Sequence, residues 1–325
     1  MENKEKEVLL KVRGAKTYFP IKKGLMKKTV GYVKAVDDIS LDVYKGETLG
    51  LVGESGCGKT TVGRTILHLY KPTAGEIIFD GKPIKTKADI QEFRKKATMV
   101  FQDPYSSLNP RMTVGQIIGE GLTTHKFFKA GDPQMKDYIL NVMEQCGLQG
   151  YMLHRYPHQF SGGQRQRICI ARALAVKPKF IVCDECVSAL DVSIQSQIIN
   201  LLPDLQKKLD LTFLFIAHDL NIVKYISDRI AVMYLGRLIE KAPSEKLFAN
   251  PSHPYTQALL SAIPLPKLGA KRERIILKGE ITSPIEPKPM CRFAPRCIHA
   301  KDICFKEEPK MKEIAPGHEV MCHLF

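Results

Sequence analysis

A glycine-rich segment near residue 50 has the residue types and spacing of a phosphate-binding loop. It reads Gly53-x-x-x-x-Gly58-Lys59-Thr60, between the apolar run 49–52 and a helical pattern. Glycines let successive N–H groups point at phosphate oxygens, and the helix start adds a positive dipole end. We expect Lys59 to reach the β- and γ-phosphates of a nucleotide and the Thr60 hydroxyl to ligate Mg²⁺. The alternative is a glycine turn before a structural helix. The candidate nucleotide-binding residues of this loop are Gly53, Ser55, Gly56, Cys57, Gly58, Lys59, Thr60 and Thr61.

A second candidate site lies at the end of an apolar run in "KFIVCDECVSALD". The run 180–183 predicts a strand that delivers Asp184 and Glu185 at its end. We expect Asp184 to hold Mg²⁺ through water and Glu185 to polarise the attacking water as general base. A solvated strand end is the alternative.

A third segment, "HQFSGGQRQRICIARALAVKP", predicts a helix with an unusual start. Ser161-x-x-Gln164 is a capping-box pattern, and the small residues Gly162 and Gly163 expose backbone N–H groups. Together they predict a second anion-binding helix start. Either one chain binds two anions, or each of two chains lends this site to the other's nucleotide.

The elements that must position these residues alternate along the chain. Residues 1 to about 100 favour strands and turns, 103 to about 175 favour helices, and 176 to about 240 return to both. This order predicts the α/β class. No internal repeat is visible, which indicates one nucleotide-binding unit.

With these motifs, the chain resembles the ABC transporter ATPases. "FSGGQ" matches their signature, with Phe160 where Leu is most common. The other motifs follow in the family's order. The resemblance implies that "MVFQD" supplies Gln102 as a catalytic residue and Mg²⁺ ligand. It also implies that "SALD" is the D-loop with Asp191 and that "FIAHD" supplies His218 as the γ-phosphate sensor.

The resemblance implies a P-loop NTPase core of ABC ATPase type that binds ATP and Mg²⁺. The ATPase domain would span 1–255, with a helical subdomain at about 103–175, and a small cysteine-containing extension would span 256–325. Two chains would pair head to tail around two ATP molecules. Lys59 of one subunit would then share an ATP with the signature of the other, namely Ser161, Gly162, Gly163 and Gln164.

Two details of the resemblance concern single residues. An aromatic side chain before the P-loop often stacks on the adenine in this family, and Tyr32 is our candidate, with Tyr18 and Phe19 as competitors. Many relatives have Pro where this chain has Cys186. Proline fixes the turn after the catalytic carboxylate, but its replacement removes no ligand, so we expect an active ATPase.

Further stretches resemble the oligopeptide/dipeptide importer ATPases, and most of all their second ATPase subunit. They are "HPYT", "SLNPRMTVGQ" and the closing cysteine segment. This implies a second ABC ATPase subunit in a heterodimer, two membrane permease subunits and an extracytoplasmic solute-binding protein as partners. The chain would lie at the cytoplasmic face of the cell membrane. The alternatives are an importer of nickel or another solute, and a soluble ABC ATPase without membrane partners.

The composition fits an intracellular globular protein. Hydrophobic residues make up 44% and charged residues 26%, with a net charge of +15. No apolar run approaches the ~20 residues that cross a bilayer, and the first residues do not read as a signal peptide. Thiols are therefore expected to be reduced. The basic residues are spread along the chain, so nucleic acid is not an expected partner.

Four cysteines near the end have the spacing Cys291-x5-Cys297-x6-Cys304-x17-Cys322. This is neither a zinc-ribbon nor a ferredoxin spacing. Four thiolates can hold Zn²⁺ or a [4Fe–4S] cluster, and a histidine could replace one of them in a zinc site. The resemblance adds that such tails hold a [4Fe–4S] cluster in some relatives, although Ile298 stands here where Pro is frequent. A cluster, zinc and unliganded packed thiols all stay open. The candidate histidines are His299, His318 and His323.

Overall fold

A computed structural model describes residues 7–24, 27–129, 131–263, 274–277, 279 and 283–325. The chain divides into two compact units. We call the first the sheet unit; it comprises Val8–Val43, Thr48–Pro83 and Ala217–Phe325. We call the second the helical unit; among the described residues it comprises Ile84–Ile216 with Glu7 and Tyr44–Glu47.

The strands and helices alternate along much of the chain, as the α/β class requires. The strands are β1 (Val8–Lys23), β2 (Lys28–Tyr44), β3 (Thr48–Val52), β4 (Ala74–Phe79), β5 (Lys82–Pro83), β6 (Ala97–Val100), β7 (Phe180–Asp184), β8 (Thr212–Ile216), β9 (Arg229–Tyr234), β10 (Arg237–Pro243), β11 (Met311–Ala315) and β12 (His318–Met321). The α-helices are α1 (Lys59–Ile66), α2 (Lys87–Lys96), α3 (Val114–Thr124), α4 (Pro133–Gln145), α5 (Gly162–Ala175), α6 (Val192–Leu209), α7 (Leu220–Ile226), α8 (Ser244–Ala249) and α9 (Pro254–Ser261). Short 3₁₀ turns cover Gly150–His154, Pro157–Gln159, Ala294–Arg296 and Asp302–Phe305.

The sheet unit contains two groups of paired strands. One has the order β2-β1-β4-β5, in which β1 and β4 run antiparallel with Leu10 opposite Phe79. The other has the order β11-β12-β10-β9-β3. Here β3 and β9 run parallel from Leu49 opposite Arg229 onward, and β9, β10, β12 and β11 pair antiparallel. Every residue of β3 is buried, so the strand leads out of the core directly into the glycine-rich loop.

The helical unit is built on the parallel strands β6, β7 and β8. Phe180 at the start of β7 lies opposite Ala97 of β6 and Thr212 of β8. All residues of β7 and β8 are buried, the pattern of parallel strands covered on both faces. Asp184 therefore lies at the end of a fully buried strand.

Helices α3, α4 and α5 pack against one another in the helical unit. Each turns its apolar side inward: Ile118 and Leu122 of α3, Val142 and Met143 of α4, and Ile168 of α5 are all buried. Helix α4 lies in the region that the sequence predicts to be helical, and its start is capped by the Asp132 carboxylate. Within the part of the chain that the structure describes, no helix combines the length and apolarity needed to span a bilayer.

Candidate active site

The glycine-rich loop connects β3 to α1 in the sheet unit, as predicted. Gly58 forms the start of α1 with a φ of 107°, and no described side chain caps the helix. A Cβ atom at this position would lie 2.1 Å from the Ala35 carbonyl oxygen, so only glycine fits. The first turn of α1 also carries no acidic residue. The loop thus offers uncapped backbone N–H groups and the positive end of a helix dipole to an anion.

Lys59 lies buried at the first position of α1, with 4% of its surface exposed. Its ammonium donates to the backbone carbonyls of Gly53 at 2.8 Å and Glu54 at 3.0 Å. The loop therefore folds back around its own lysine. Neutral carbonyl partners leave the positive charge available to phosphate oxygens, which form stronger, charge-assisted bonds.

Cys57 is buried in the same loop, with 4% of its surface exposed. Burial raises the pKa of its thiol, and the nearby Lys59 offsets part of this rise. A raised pKa is the reverse of what a reactive thiolate requires. The geometry favours Cys57 as a packed residue of the loop.

The three candidates for adenine stacking differ in how free their rings are. The Tyr18 hydroxyl donates to the Asp37 carboxylate, and the Phe19 ring packs edge-on against Tyr70 at 5.4 Å between centroids. Tyr32 is 43% exposed and is held through its backbone, which exchanges hydrogen bonds with Glu286 at 2.9 and 3.1 Å. Of the three, Tyr32 presents its ring most freely to a ligand.

The helical unit brings together two of the predicted catalytic side chains. Asp184 is fully buried at the end of β7, and Glu185 follows with a φ of 45°, in the left-handed region that non-glycine residues rarely occupy. The Gln102 side-chain amide donates to the Glu185 carboxylate at 2.8 Å. The strained turn thus directs Glu185 toward the glutamine that the resemblance also marks as catalytic.

Cys186 occupies the position where many relatives have proline, and it is 1% exposed. Its thiol contacts Cys183 through a hydrogen bond, and this contact together with burial raises the pKa of Cys183. The turn is also closed by Ser188, whose hydroxyl donates to the Glu185 carbonyl at 2.8 Å. Packing and this hydrogen bond hold the turn without a proline.

The signature segment starts α5 with the predicted capping box. The Gln164 backbone N–H donates to the Ser161 hydroxyl at 3.3 Å, and the Ser161 N–H donates to the Gln164 side chain at 3.1 Å. A Cβ atom on Gly163 would lie 2.3 Å from Ile194 of α6, so glycine permits the close contact of the two helices. Ser161 and Gly162 are exposed, which leaves this helix start accessible from outside the chain.

The remaining motif residues lie at the starts of other helices. Asp191 caps α6 and accepts hydrogen bonds from the Ile194 N–H and the Ser193 hydroxyl, which lower the pKa of its carboxyl. His218 is exposed and directly precedes Asp219, the cap of α7. Both positions are consistent with residues that meet a ligand or another chain, and their roles stay predictions.

The four tail cysteines lie in one part of the sheet unit. Burial is the main cause that raises the pKa of Cys291, to about 11, with contributions from Cys304 and Cys322. The described residues, which include all four, nevertheless hold no group of three or more His, Cys, Asp or Glu side chains placed to bind a metal. The structure therefore gives no support to the predicted [4Fe–4S] cluster or to zinc.

Two of the alternative zinc-binding histidines are engaged elsewhere. His318 Nε2 lies 2.7 Å from the Glu240 carboxylate, and His323 Nε2 lies 3.0 Å from the Glu307 carbonyl oxygen. Glu240 is fully buried and also accepts the backbone N–H groups of Ser252 and His253, at 2.7 and 2.9 Å. This carboxylate therefore ties the last strand pair to the segment before α9.

Sequence reasoning did not find the contacts that the tail makes with the glycine-rich loop. The guanidinium of Arg296 binds the carboxylate of Glu54, a residue of the loop itself. The Glu54 backbone N–H also donates to the Tyr255 hydroxyl at 2.8 Å. No motif signals these pairs, because their partners lie about 200 or more positions apart in the chain.

Two family models match this chain. Residues 36–188 match the model described as ABC transporter, and residues 239–304 match the model described as oligopeptide/dipeptide transporter, C-terminal region. The first covers the glycine-rich loop, the signature and the acidic strand end. The second covers three of the four tail cysteines.

The chain is also similar to curated proteins and solved structures. It is 52% identical over 324 residues to the oligopeptide transport ATP-binding protein AppF of Bacillus subtilis (98% of each chain). It is 51% identical over 319 residues to OppF of the same organism (97% of this chain and 96% of OppF). Among solved structures, cbiO1 of Clostridium perfringens, part of the ABC transporter complex cbiONQ, matches with a TM-score of 0.64 and 28% identity (75% of this chain and 92% of that chain).

A dimeric cassette, MJ0796 bound to ADP and Pi, matches with a TM-score of 0.64 and 26% identity, over 73% of this chain and 99% of that chain. These likenesses agree with the motif order, the α/β class and the uncapped glycine-rich loop described above. The chain therefore belongs to the ABC transporter family, as an ATP-hydrolysing protein whose tail is of the oligopeptide/dipeptide transporter type.

Proposed function

We propose that this chain is the ATP-hydrolysing subunit of an ABC importer for oligopeptides or dipeptides. The observation that carries the proposal is the pairing of an ABC transporter match with the oligopeptide/dipeptide C-terminal match in one chain. The relatives AppF and OppF, which match over nearly their whole length, are oligopeptide transport ATP-binding proteins. This favours peptides over nickel as the transported solute.

For the phosphates, we propose that the glycine-rich loop binds ATP through its backbone N–H groups and Lys59, and that Thr60 and Asp184 hold Mg²⁺. The uncapped start of α1 and the buried Lys59 support this role. Mg²⁺ would neutralise charge on the β- and γ-phosphates. Tyr32 would stack on the adenine, which its exposed ring allows.

For the hydrolytic step, we propose that Glu185 accepts a proton from the attacking water. Gln102 would orient the carboxylate, as the 2.8 Å hydrogen bond between them suggests, and would also contact Mg²⁺. His218 would contact the γ-phosphate. These side chains would hold the attacking water in line with the γ-phosphorus and the departing oxygen of ADP, which is how the protein would contribute to phosphoryl transfer.

We further propose that two ATPase subunits close around ATP, with Ser161, Gly162, Gly163 and Gln164 of one acting on the nucleotide of the other and Asp191 at their junction. The accessible start of α5 supports this arrangement. The similar cassette MJ0796 has a dimeric structure with ADP and Pi. A second ABC ATPase subunit would make the pair a heterodimer, bound to two permease subunits and served by a solute-binding protein. The chain would then lie at the cytoplasmic face of the membrane.

The decisive experiment compares Glu185→Gln with the unchanged chain in the complex with its permease subunits and binding protein. We expect ATP binding to persist and peptide-stimulated phosphate release to fall by about 10²–10⁴-fold, since the general base is lost. Glu144→Gln, a change on the exposed side of α4, is the matched control. Unchanged turnover in Glu185→Gln would show that Glu185 is not the general base. Stimulation by nickel instead of peptides would overturn the proposed solute.

A [4Fe–4S] cluster on Cys291, Cys297, Cys304 and Cys322 is a separate proposal. It rests on the resemblance and on the burial of Cys304 and Cys322 and the partial burial of Cys291 and Cys297. Anaerobic purification followed by iron, sulfide and zinc analysis tests it. Iron with absorbance near 400 nm supports the cluster, and a metal-free tail shows that the thiols only pack.

A further inference from the structure

The tail contacts the glycine-rich loop through a bidentate ion pair between Arg296 and Glu54. Arg296 Nη1 lies 2.9 Å from Glu54 Oε2, and Nη2 lies 3.2 Å from Oε1. The Arg296 side chain is 9% exposed and that of Glu54 is 25% exposed. Such a bidentate ion pair is the strong form of an arginine–carboxylate contact.

Arg296 is held in place by a cluster of buried aromatic rings. Its guanidinium lies 5.9 Å from the ring centroid of Tyr234 and donates to the Tyr234 hydroxyl at 3.4 Å. Phe293, three residues before it, packs edge-on against Tyr234 and Tyr255 at 5.3 and 5.4 Å. Packing therefore offsets the entropic cost of ordering the Arg296 side chain before any nucleotide binds.

Glu54 is itself part of the phosphate-binding loop. Its backbone carbonyl accepts from the Lys59 ammonium at 3.0 Å, and its N–H donates to the Tyr255 hydroxyl at 2.8 Å. The carboxylate therefore belongs to a residue whose backbone contacts Lys59, the proposed phosphate-binding lysine. Without a partner, this carboxylate would repel a triphosphate and compete with it for Lys59.

We infer that Arg296 is a positioning residue for ATP binding, which acts by pairing the charge of Glu54 inside the phosphate-binding loop. The tail thereby becomes part of the nucleotide site, although it contributes no catalytic group. This inference rests on the proposed role of the loop in binding ATP. It also gives the tail a function that does not depend on a metal.

The test measures ATP binding by calorimetry with the full chain, titrated with Mg²⁺ and ATP at low ionic strength. Arg296→Ala is expected to raise the Kd for ATP about tenfold, the effect of one uncompensated interaction of modest size. Arg296→Lys keeps the charge and loses the bidentate geometry, so the Kd of this variant for ATP should rise no more than about threefold. Glu54→Gln combined with Arg296→Ala should restore the Kd to within about threefold, because the unpaired charge is gone.

Three controls separate the possible outcomes. Glu319→Gln removes another tail ion pair, with Lys241 at 3.0 Å, and should leave ATP binding unchanged. Thermal unfolding of each variant verifies that the chain is folded, and Arg296→Gln, which removes the charge but keeps a polar side chain, replaces Arg296→Ala if the latter is not. A folded Arg296→Ala or Arg296→Gln with native affinity, or a double variant as weak as Arg296→Ala, would overturn the inference. Lys59→Ala distinguishes the two levels: if it binds ATP normally, the proposed role of the loop fails instead.

Discussion

The two helix starts that the sequence marks as anion-binding differ in how they satisfy their own N–H groups. The start of α1 follows Gly58, a left-handed residue with no side-chain cap among the described residues. The start of α5 is closed by the Ser161 and Gln164 capping box. An open start can take a phosphate directly, whereas a closed start must exchange an internal hydrogen bond for the ligand.

This difference offers a physical reason for the proposed division of labour between two chains. In the proposed arrangement the open loop would bind ATP within its own chain, because no side-chain cap has to be released first. The capped start of α5 would gain little by binding a free anion, since the Ser161 hydroxyl already accepts from the Gln164 N–H. It would act when another chain brings its bound nucleotide to this helix start.

The largest effect is expected for Ser161→Asp. Aspartate is as good a helix cap as serine, and its charge suits the positive helix end, so the chain should fold with unchanged stability. The same charge opposes an incoming phosphate, and hydrolysis by the assembled complex should fall by about a hundredfold or more. ATP binding by the single chain should stay normal. Loss of single-chain binding would break the contrast, because it would place Ser161 beside its own chain's nucleotide.

The next effect concerns the open start. Gly58→Ala forces a Cβ atom to within 2.1 Å of the Ala35 carbonyl at a φ of 107°. We expect a loss of about 1–3 kcal/mol in the free energy of unfolding, the usual size of such strain, together with weaker ATP binding. Gly56→Ala is the matched control, because its φ of 78° is also left-handed but nothing lies within 4 Å. Equal losses in the two variants, measured by urea unfolding, would mean that crowding at Gly58 contributes nothing.

A third helix start, that of α9, is capped by a histidine. His253 Nδ1 accepts from the Tyr255 N–H at 3.0 Å, and burial lowers the pKa of His253 to about 3. The unfolded chain therefore binds the proton more readily between about pH 6.5 and pH 3, and stability falls as the pH is lowered through this window. We expect His253 to cost about 2 kcal/mol of stability between pH 7 and pH 5.

His253→Asn tests this effect, since asparagine can cap α9 without titrating. The difference in unfolding free energy between pH 7 and pH 5 should shrink by the amount assigned to His253. A pH dependence that is identical in the two proteins would show that His253 does not titrate in this range on unfolding.

The smallest effect is expected for Ser161→Ala. Removal of a serine cap costs about 1 kcal/mol of stability, and no charge is introduced. Chemical unfolding of this variant beside Gln164→Ala, which removes the other half of the capping box, should show similar losses. A loss in Ser161→Ala that far exceeds the loss in Gln164→Ala would mean that Ser161 has a further structural partner.

Local patterns allowed much of the candidate site to be predicted. The loop 53–58 between β3 and α1, the buried strand that ends at Asp184 and the capping box of α5 all follow from residues close together in the chain. Their physics is local: backbone conformation, capping and strand burial. The roles of single site residues stay predictions, since they depend on ligands and partner chains, and the predicted domain limits stay predictions as well.

The contacts of the tail could not be predicted from local sequence patterns. The spacing of its four cysteines identified no metal, and a [4Fe–4S] cluster was implied only by the resemblance; the described residues hold no group placed to bind a metal. The tail does form an ion pair with the glycine-rich loop, between Arg296 and Glu54, which are 242 positions apart. Nothing near either residue in the chain signals the other.

The sequence was enough to predict the family and the α/β class and to propose the residues that would meet ATP, because phosphate binding requires glycines, a lysine and carboxylates at fixed short spacings. The folded structure was needed to see which helix start is open, which side chain Gln102 contacts and that Arg296 of the tail pairs with Glu54 of the loop. Those properties depend on burial and on pairs of charges brought together by folding. Such pairs carry no signature in the order of residues.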